Sequence, residues 1–224
     1  MPANPYIFPI YKPKGPSSFF IIKQLRVITG IKKIGHAGTL DPLADGVLVV
    51  GITRVGTKQL DSLIRKDKAY SAEVILGVTT ITHDAEGEKD VVKVDQPPSL
   101  ADIQAILPQF IGEITQTPPR FSAVKIKGQP AYKRARAGEE FEIKPKQVLI
   151  KGIKILEYQY PRLVLAVETG SGVYIRALAR DLGKILKTGA YLGGLTRTRV
   201  GQFTLDQALT VDEFKRFWSK QHLI

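Results

Sequence analysis

Gly35-His36-Ala37-Gly38-Thr39-Leu40-Asp41-Pro42-Leu43-Ala44-Asp45-Gly46 runs directly into the apolar stretch at residues 47–52. Pro42 disfavours the helical region for the residue before it and biases Asp41 to an extended backbone. Gly35, Gly38 and Gly46 permit sharp bends or close approach by a ligand. The stretch therefore presents one carboxylate on a loop that enters a buried strand. Two readings follow: an ordinary turn before a core strand, or a loop built to hold Asp41 against a ligand. The rest of the chain decides between them.

Working outward, the 224 residues are 43% hydrophobic and 24% charged, the balance of a globular chain with one well-buried core. There is no cysteine, which excludes disulfides, thiol nucleophiles and cysteine-ligated zinc. His36, His83 and His222 are scattered, so catalysis without a metal or other cofactor is expected. No stretch approaches the length of a membrane span. The start has several prolines and no apolar core flanked by a cleavage site, and a cytoplasmic location is the expectation. Net charge is +12 but uneven: residues 1–75, 116–150 and 151–224 carry +6, +5 and +6, and residues 76–115 carry −5. That distribution suits a protein laying three regions against a polyanion. A merely solubilising surface is the alternative.

Local signals predict a helix from Ser17 or Ser18 to about Thr29, stopped by Gly30, with Phe19, Ile22, Leu25 and Arg26 near helical spacing. Residues 47–52 read as a buried strand, 58–64 as a short helix, and Tyr70, Ala72, Val74 and Leu76 as the alternating face of a strand. Residues 84–88 read as an acidic turn into a strand at 91–94, lacking the residue order of a calcium loop. Ser99 caps a helix that Pro108 ends. Residues 117–141 are irregular and basic, with Phe121 and Tyr132 among Arg120, Lys125, Lys127, Lys133, Arg134 and Arg136, a composition that can grip an RNA backbone and stack on bases. Strands at 149–156 and 163–167 lead into a helix beginning near Tyr174 and Arg176, and Thr210 with Glu213 forms a capping box before Phe214, Phe217 and Trp218. Strands and helices mix without regular alternation, which argues for α+β and a single domain.

The opening loop resembles the signature of the TruB family of tRNA pseudouridine synthases, approximately G-H-x-G-T-L-D-P-x-A-x-G-V-L. Asp45 departs from the usual small hydroxyl residue and is expected to face solvent. Three further segments resemble the same family in the same order: Lys68-Ala69-Tyr70, Gly172-Val173-Tyr174-Ile175-Arg176, and Leu195-Thr196-Arg197-Thr198 followed by Gly201. Lys12-Pro13-Lys14-Gly15 and the stretch from Pro118 to Lys125 add landmarks, so the resemblance covers most of the chain.

The resemblance implies a pseudouridine synthase fold with a central mixed, mainly antiparallel sheet flanked by helices and loops. It implies isomerisation of uridine to pseudouridine, at uridine 55 in the T loop of tRNA, after the nucleotide is flipped out. Asp41 is implied as the essential carboxylate, attacking the sugar at C1′ or stabilising its cationic character, and Arg176 as the arginine that pairs with it. Tyr70 is implied to pack against the base and to take the proton from C5. Tyr174 and Leu195 wall the pocket, and His36 contacts RNA. Lys32, Lys33, Lys133, Arg134, Arg136 and Arg197 are expected to contact the RNA backbone. The expected partner is the tRNA T arm, met by a monomer without a guide RNA. Residues 1–224 are expected to form one catalytic domain with a basic insertion at 117–141 and no C-terminal PUA-like domain. A non-catalytic RNA-binding protein is the competing class and tolerates Asp41→Asn. A glycosidase or metal-dependent nuclease needs paired or clustered acids that this pattern lacks.

Overall fold

A computed structural model describes residues 5–221. The chain divides into two compact units: one from the residues up to Ser71 together with those from Leu195 onward, the other from Ala72 to Gly194. In chain order the first contributes β1 (Ile7–Lys12), α1 (Ser18–Thr29), β2 (Ile34–His36), β3 (Ala44–Ile52) and α2 (Thr53–Ile64). β4 (Lys68–Leu76) passes into the second unit, which holds β5 (Val78–Thr80), β6 (Lys89–Val91), α3 (Leu100–Ile106), β7 (Gly112–Gln116), β8 (Lys125–Ile126), β9 (Gln129–Pro130), α4 (Ala131–Arg136), β10 (Lys146–Gln159), β11 (Arg162–Thr169) and α5 (Ile175–Ile185). β12 (Ala190–Val200) returns to the first unit, followed by β13 (Phe203–Thr204) and α6 (Val211–Gln221).

In the first unit the strand order is β1-β3-β12, with β2 also on β3 and β13 on β12. The β3–β12 pair is parallel, and β1, β2 and β13 pair antiparallel, so the sheet is mixed. The unbroken apolar run in β3 has a simple cause: both faces are covered. Leu48, Val50 and Ile52 join Phe8, Ile10, Ile21, Ile22, Leu25 and Phe214 in one core cluster, while Val47 and Val49 join Ile7, Ala37, Leu60 and Val200 in another. α6 enters through the expected capping box, Glu213 accepting from the Thr210 backbone and hydroxyl at 2.8 Å each. Its Phe214 then sits edge-on to Phe8 at 5.3 Å.

α1 has the expected Ser17 cap and a left-handed Gly30 stop. Its buried face differs from the expected one, since Ser18, Ile21, Ile22 and Leu25 point inward and Phe19 is 53% exposed. α2 begins at Thr53, five residues earlier than expected. Its first turn carries Gly56 against the Tyr6 backbone instead of an apolar side chain, so no periodicity announces it. β1 and β12 were not anticipated. Pro9 interrupts the pattern of β1 and is tolerated because β1 is the last strand in the order, and on the side away from β3 it meets Leu209 through an isolated bridge in which Pro9 supplies its carbonyl and not an N–H.

In the second unit, β4-β11-β10-β7 are neighbours, and the β10–β11 and β10–β7 pairs are antiparallel. The turn after Asp84 leads into a strand that begins at Lys89, earlier than expected, and pairs with β5. Ser99 and Asp102 cap α3 reciprocally, and the chain tightens at Pro108 into a short 3-10 turn at Leu107–Phe110. α5 buries Ile175, Ala177, Leu178, Ala179 and Leu182, together with the charged Arg176. No helix among the described residues is long and apolar enough to cross a membrane.

Candidate active site

In the first unit the loop joining β2 to β3 is fastened along its length. The Ala37 N–H donates to the Val49 carbonyl at 2.8 Å, and the Ala44 N–H to the Asp41 carbonyl at 3.0 Å, closing a turn over Pro42. The Ser18 hydroxyl accepts from the Leu40 N–H at 2.8 Å and donates to the Leu40 carbonyl at 2.9 Å, gripping the residue before Asp41. Lys12, fully buried, donates to the carbonyls of Pro13, Pro16 and Ala44 at 2.8, 2.9 and 2.6 Å. Arg197, 1% exposed, reaches the Val47 carbonyl through Nε at 2.8 Å and the Gly38 and Thr39 carbonyls through its terminal nitrogens at 3.1 and 3.4 Å. Backbone dipoles thus replace the water that these two cations lose on burial.

The parallel register puts Arg197 opposite Gly46. Gly46 has φ +108°, and a Cβ there would lie 2.3 Å from the Arg197 carbonyl oxygen, so this position admits glycine alone.

Tyr70, on β4, is buried with the Arg197 guanidinium close enough to act on its phenol. Burial raises its pKa, the Arg197 charge opposes the rise, and the Asp41 charge adds to it, which places the Asp41 carboxylate within electrostatic reach of the phenol. Lys68 lies on the same strand face and donates to the Ile64 and Lys66 carbonyls at 2.9 Å each; burial, then the Arg197 charge, push its pKa down to about 8. His36 is pushed below the ordinary range by burial and then by Arg197, and its Nδ1 is enclosed without a hydrogen-bond partner. Leu195 is buried opposite Ala44. Lys32 and Lys33 are exposed. Asp45 corrects an expectation: it is half-buried, its Oδ1 enclosed and unpartnered, and its charge helps burial to raise the pKa of Tyr11.

In the second unit Arg176 opens α5 and is buried. It donates to the Asp84 carboxylate and the Thr82 carbonyl at 3.2 Å each, and to the Phe121 carbonyl at 2.9 Å. Asp84 is 2% exposed, its other oxygen accepting from the Thr82 hydroxyl at 2.6 Å and the Glu86 N–H at 3.1 Å. Tyr174 is half-buried, its N–H held by the Gln116 side chain at 2.8 Å. Lys133 and Arg136 are exposed on α4. Among the described residues, no group of three or more His, Asp or Glu is placed to hold a metal ion, and His222 lies outside them.

The family model described as TruB family pseudouridylate synthase, N-terminal domain, matches residues 26–175, and that of the tRNA pseudouridylate synthase B C-terminal domain matches residues 176–223. The chain belongs to the TruB family. It is 42% identical over 198 residues to a protein of Chlamydia trachomatis serovar L2 named tRNA pseudouridine synthase B, covering 88% of this chain and 81% of that one. A protein of the same name from Bacteroides fragilis is 42% identical over 216 residues, covering 94% and 92%. Among solved structures, a chain in a crystal structure of a Cbf5-Nop10-Gar1 complex matches with TM-score 0.74 and 27% identity. It covers 98% of this chain, which spans 56% of that one. This TruB chain has the pseudouridine synthase fold, with the mixed sheet flanked by helices that the resemblance implied.

One site assignment in the TruB chain needs correction. Arg197 was expected to contact the RNA backbone, yet a side chain 1% exposed and bonded to three carbonyls is closed to a phosphate. Arg134 is half-buried and pairs with Glu139 at 2.8 Å within its own segment. Sequence reasoning also missed the burial of Asp84, which reads there as part of an acidic turn. The available signal was Thr80 and Thr82 at alternate positions before it: the Thr82 hydroxyl donates to its carboxylate, and Thr80 to its backbone carbonyl at 2.8 Å.

Proposed function

We propose that Asp41 is the essential carboxylate of uridine isomerisation in this chain, acting on uridine 55 in the T loop of tRNA. As a TruB-family enzyme the chain is a tRNA pseudouridine synthase, an isomerase. The observation that carries the residue assignment is the fastening of the Asp41 loop. Arg197, Lys12 and Ser18 fix the backbone on both sides of Asp41. A carboxylate held this way meets the sugar of a flipped nucleotide without a further ordering cost.

The steps need no outside reagent. The C1′–N1 bond breaks with its electron pair leaving on uracil N1, while Asp41 either adds to C1′ or stabilises its cationic character. The uracil turns within the pocket and C5 bonds to C1′, and where Asp41 had added there its oxygen leaves with the bonding pair, restoring the carboxylate. The C5 proton is then removed and a proton is placed on N1, so the composition of the nucleotide is unchanged. Burial keeps Tyr70 neutral at neutral pH. In this proposal its ring walls the base, and its oxygen accepts the C5 proton only while passing its own proton on. Leu195 closes the apolar side, and His36, Lys32 and Lys33 meet the RNA strand, bound directly by a monomer without a guide RNA.

The target is tested by incubating unmodified tRNA transcript with the protein and mapping carbodiimide adducts, which stop reverse transcription at pseudouridine. One new stop, at uridine 55 in the T loop, is expected. Stops elsewhere, or none, would contradict the assignment.

A further inference from the structure

We propose that Phe19 and Phe20, with Lys23, form a second RNA-contacting patch on α1, outside the loop that holds Asp41, which stacks an unpaired base and neutralises the phosphate beside it. The patch rests on the reading of this chain as an RNA-modifying enzyme.

Two adjacent phenylalanines are 53% and 50% exposed on the outer face of α1, and Val27, two turns further along that helix, is 85% exposed. The inner face is already occupied, Ile21, Ile22 and Leu25 packing under Phe8 and Phe214. Nothing in the core therefore requires aromatic rings at positions 19 and 20. Cations surround them: Lys23 Nζ lies 5.2 Å and the Arg26 guanidinium 5.7 Å from the centre of the Phe19 ring. The N-terminal segment that carries them has charge of one sign along the chain. Residues 1–40 contain Lys12, Lys14, Lys23, Arg26, Lys32 and Lys33 and no acidic residue, so Asp41 is the first carboxylate of the chain.

A segment whose charges are all positive favours a phosphate backbone over a protein surface of mixed charge. Aromatic rings with cations beside them are the combination that holds single-stranded nucleic acid, rings stacking on bases and cations meeting phosphates. Position matters as well. Ser18 turns inward to grip Leu40, so the patch begins at the next residue after the one that fixes the neighbour of Asp41. A strand delivering a nucleotide to Asp41 has this patch at hand for the nucleotides that flank it.

The test measures binding of a fluorescent T-arm stem-loop by anisotropy in the full-length Asp41→Asn protein, so that no chemistry enters the readout. Phe19→Gln/Phe20→Gln in that background is expected to weaken binding by about tenfold or more. Lys23→Gln is expected to weaken it less and to flatten the salt dependence by about one unit of slope. The thermal midpoint of each variant, expected to match that of its parent because the side chains are exposed, shows that the fold is intact. Equal affinity of parent and double variant would overturn the patch and leave the enzyme reading standing. Failure of the parent to bind the stem-loop would overturn both. A change in oligomeric state of the double variant on sedimentation, with RNA affinity unchanged, would make the patch a protein contact and overturn the proposal.

Discussion

Arg197 Nη2 lies 3.1 Å from the carbonyl oxygen of Gly38, tying a buried guanidinium on β12 to the loop that presents Asp41. The same side chain bonds the Val47 carbonyl at 2.8 Å. One residue therefore fixes the backbone ahead of the carboxylate and the strand behind it.

Arg197→Lys keeps the charge but loses the planar fork that serves several acceptors at once. We expect a loss of about 3 kcal/mol of stability, from two or more abandoned charge-assisted hydrogen bonds, and a larger fall in kcat than in KM as the loop loosens. Urea unfolding and steady-state kinetics on a T-arm stem-loop measure both. Wild-type stability in this variant would show that the buried cation does not fasten the loop.

Gly46→Ala is expected to be among the most damaging glycine substitutions, because the added carbon meets backbone at 2.3 Å on top of an unfavourable positive φ. Gly172→Ala shares the positive φ but meets nothing within 4 Å, so it isolates the conformational cost of about 1–2 kcal/mol. The difference between their denaturant midpoints measures the clash.

His83 is held neutral, its pKa lowered to about 4 by burial and then by the Arg180 and Arg176 charges, against Asp181 and Asp84. Between this value and its ordinary one near 6.5, the unfolded chain binds more protons than the folded one. Stability therefore rises with pH across that window and falls as pH drops through it. His83→Asn, which suits the residue's φ of +60°, removes the titrating group. Its unfolding free energy is expected to fall less between pH 6.5 and 4.5 than that of wild type, and identical slopes would assign the acid sensitivity to other groups.

Much of this was legible from the chain because the signals are local. Ser17 and Gly30 bracket α1, Thr210 and Glu213 start α6, and residues 47–52 are apolar on both faces of a strand. What the sequence hid depends on distant pairing. β12 is written in glycine, threonine and arginine, and becomes a strand through its pairing to β3. Arg197 reads as a surface cation because the carbonyls that allow its burial lie 150 to 159 positions away along the chain. Asp84 reads as part of an acidic turn for the same reason, its partner Arg176 being 92 positions distant.

That pair carries its own prediction. Asp84→Asn retains an acceptor for Thr82 but removes the carboxylate charge that the buried Arg176 meets at 3.2 Å, which is expected to cost on the order of 3 kcal/mol by chemical denaturation. Exchange for a neutral residue without loss would mean that the Thr82 and Phe121 carbonyls suffice to hold the guanidinium.

The most direct test of the central claim is release of tritium from uracil C5 in a T-arm stem-loop, wild type against Asp41→Asn, with chelator present. Wild type is predicted to release one tritium per uridine converted, and the variant none above background while still binding RNA. Equal release by the two proteins, or none from either, would contradict the assignment of Asp41 as the carboxylate that breaks the glycosidic bond.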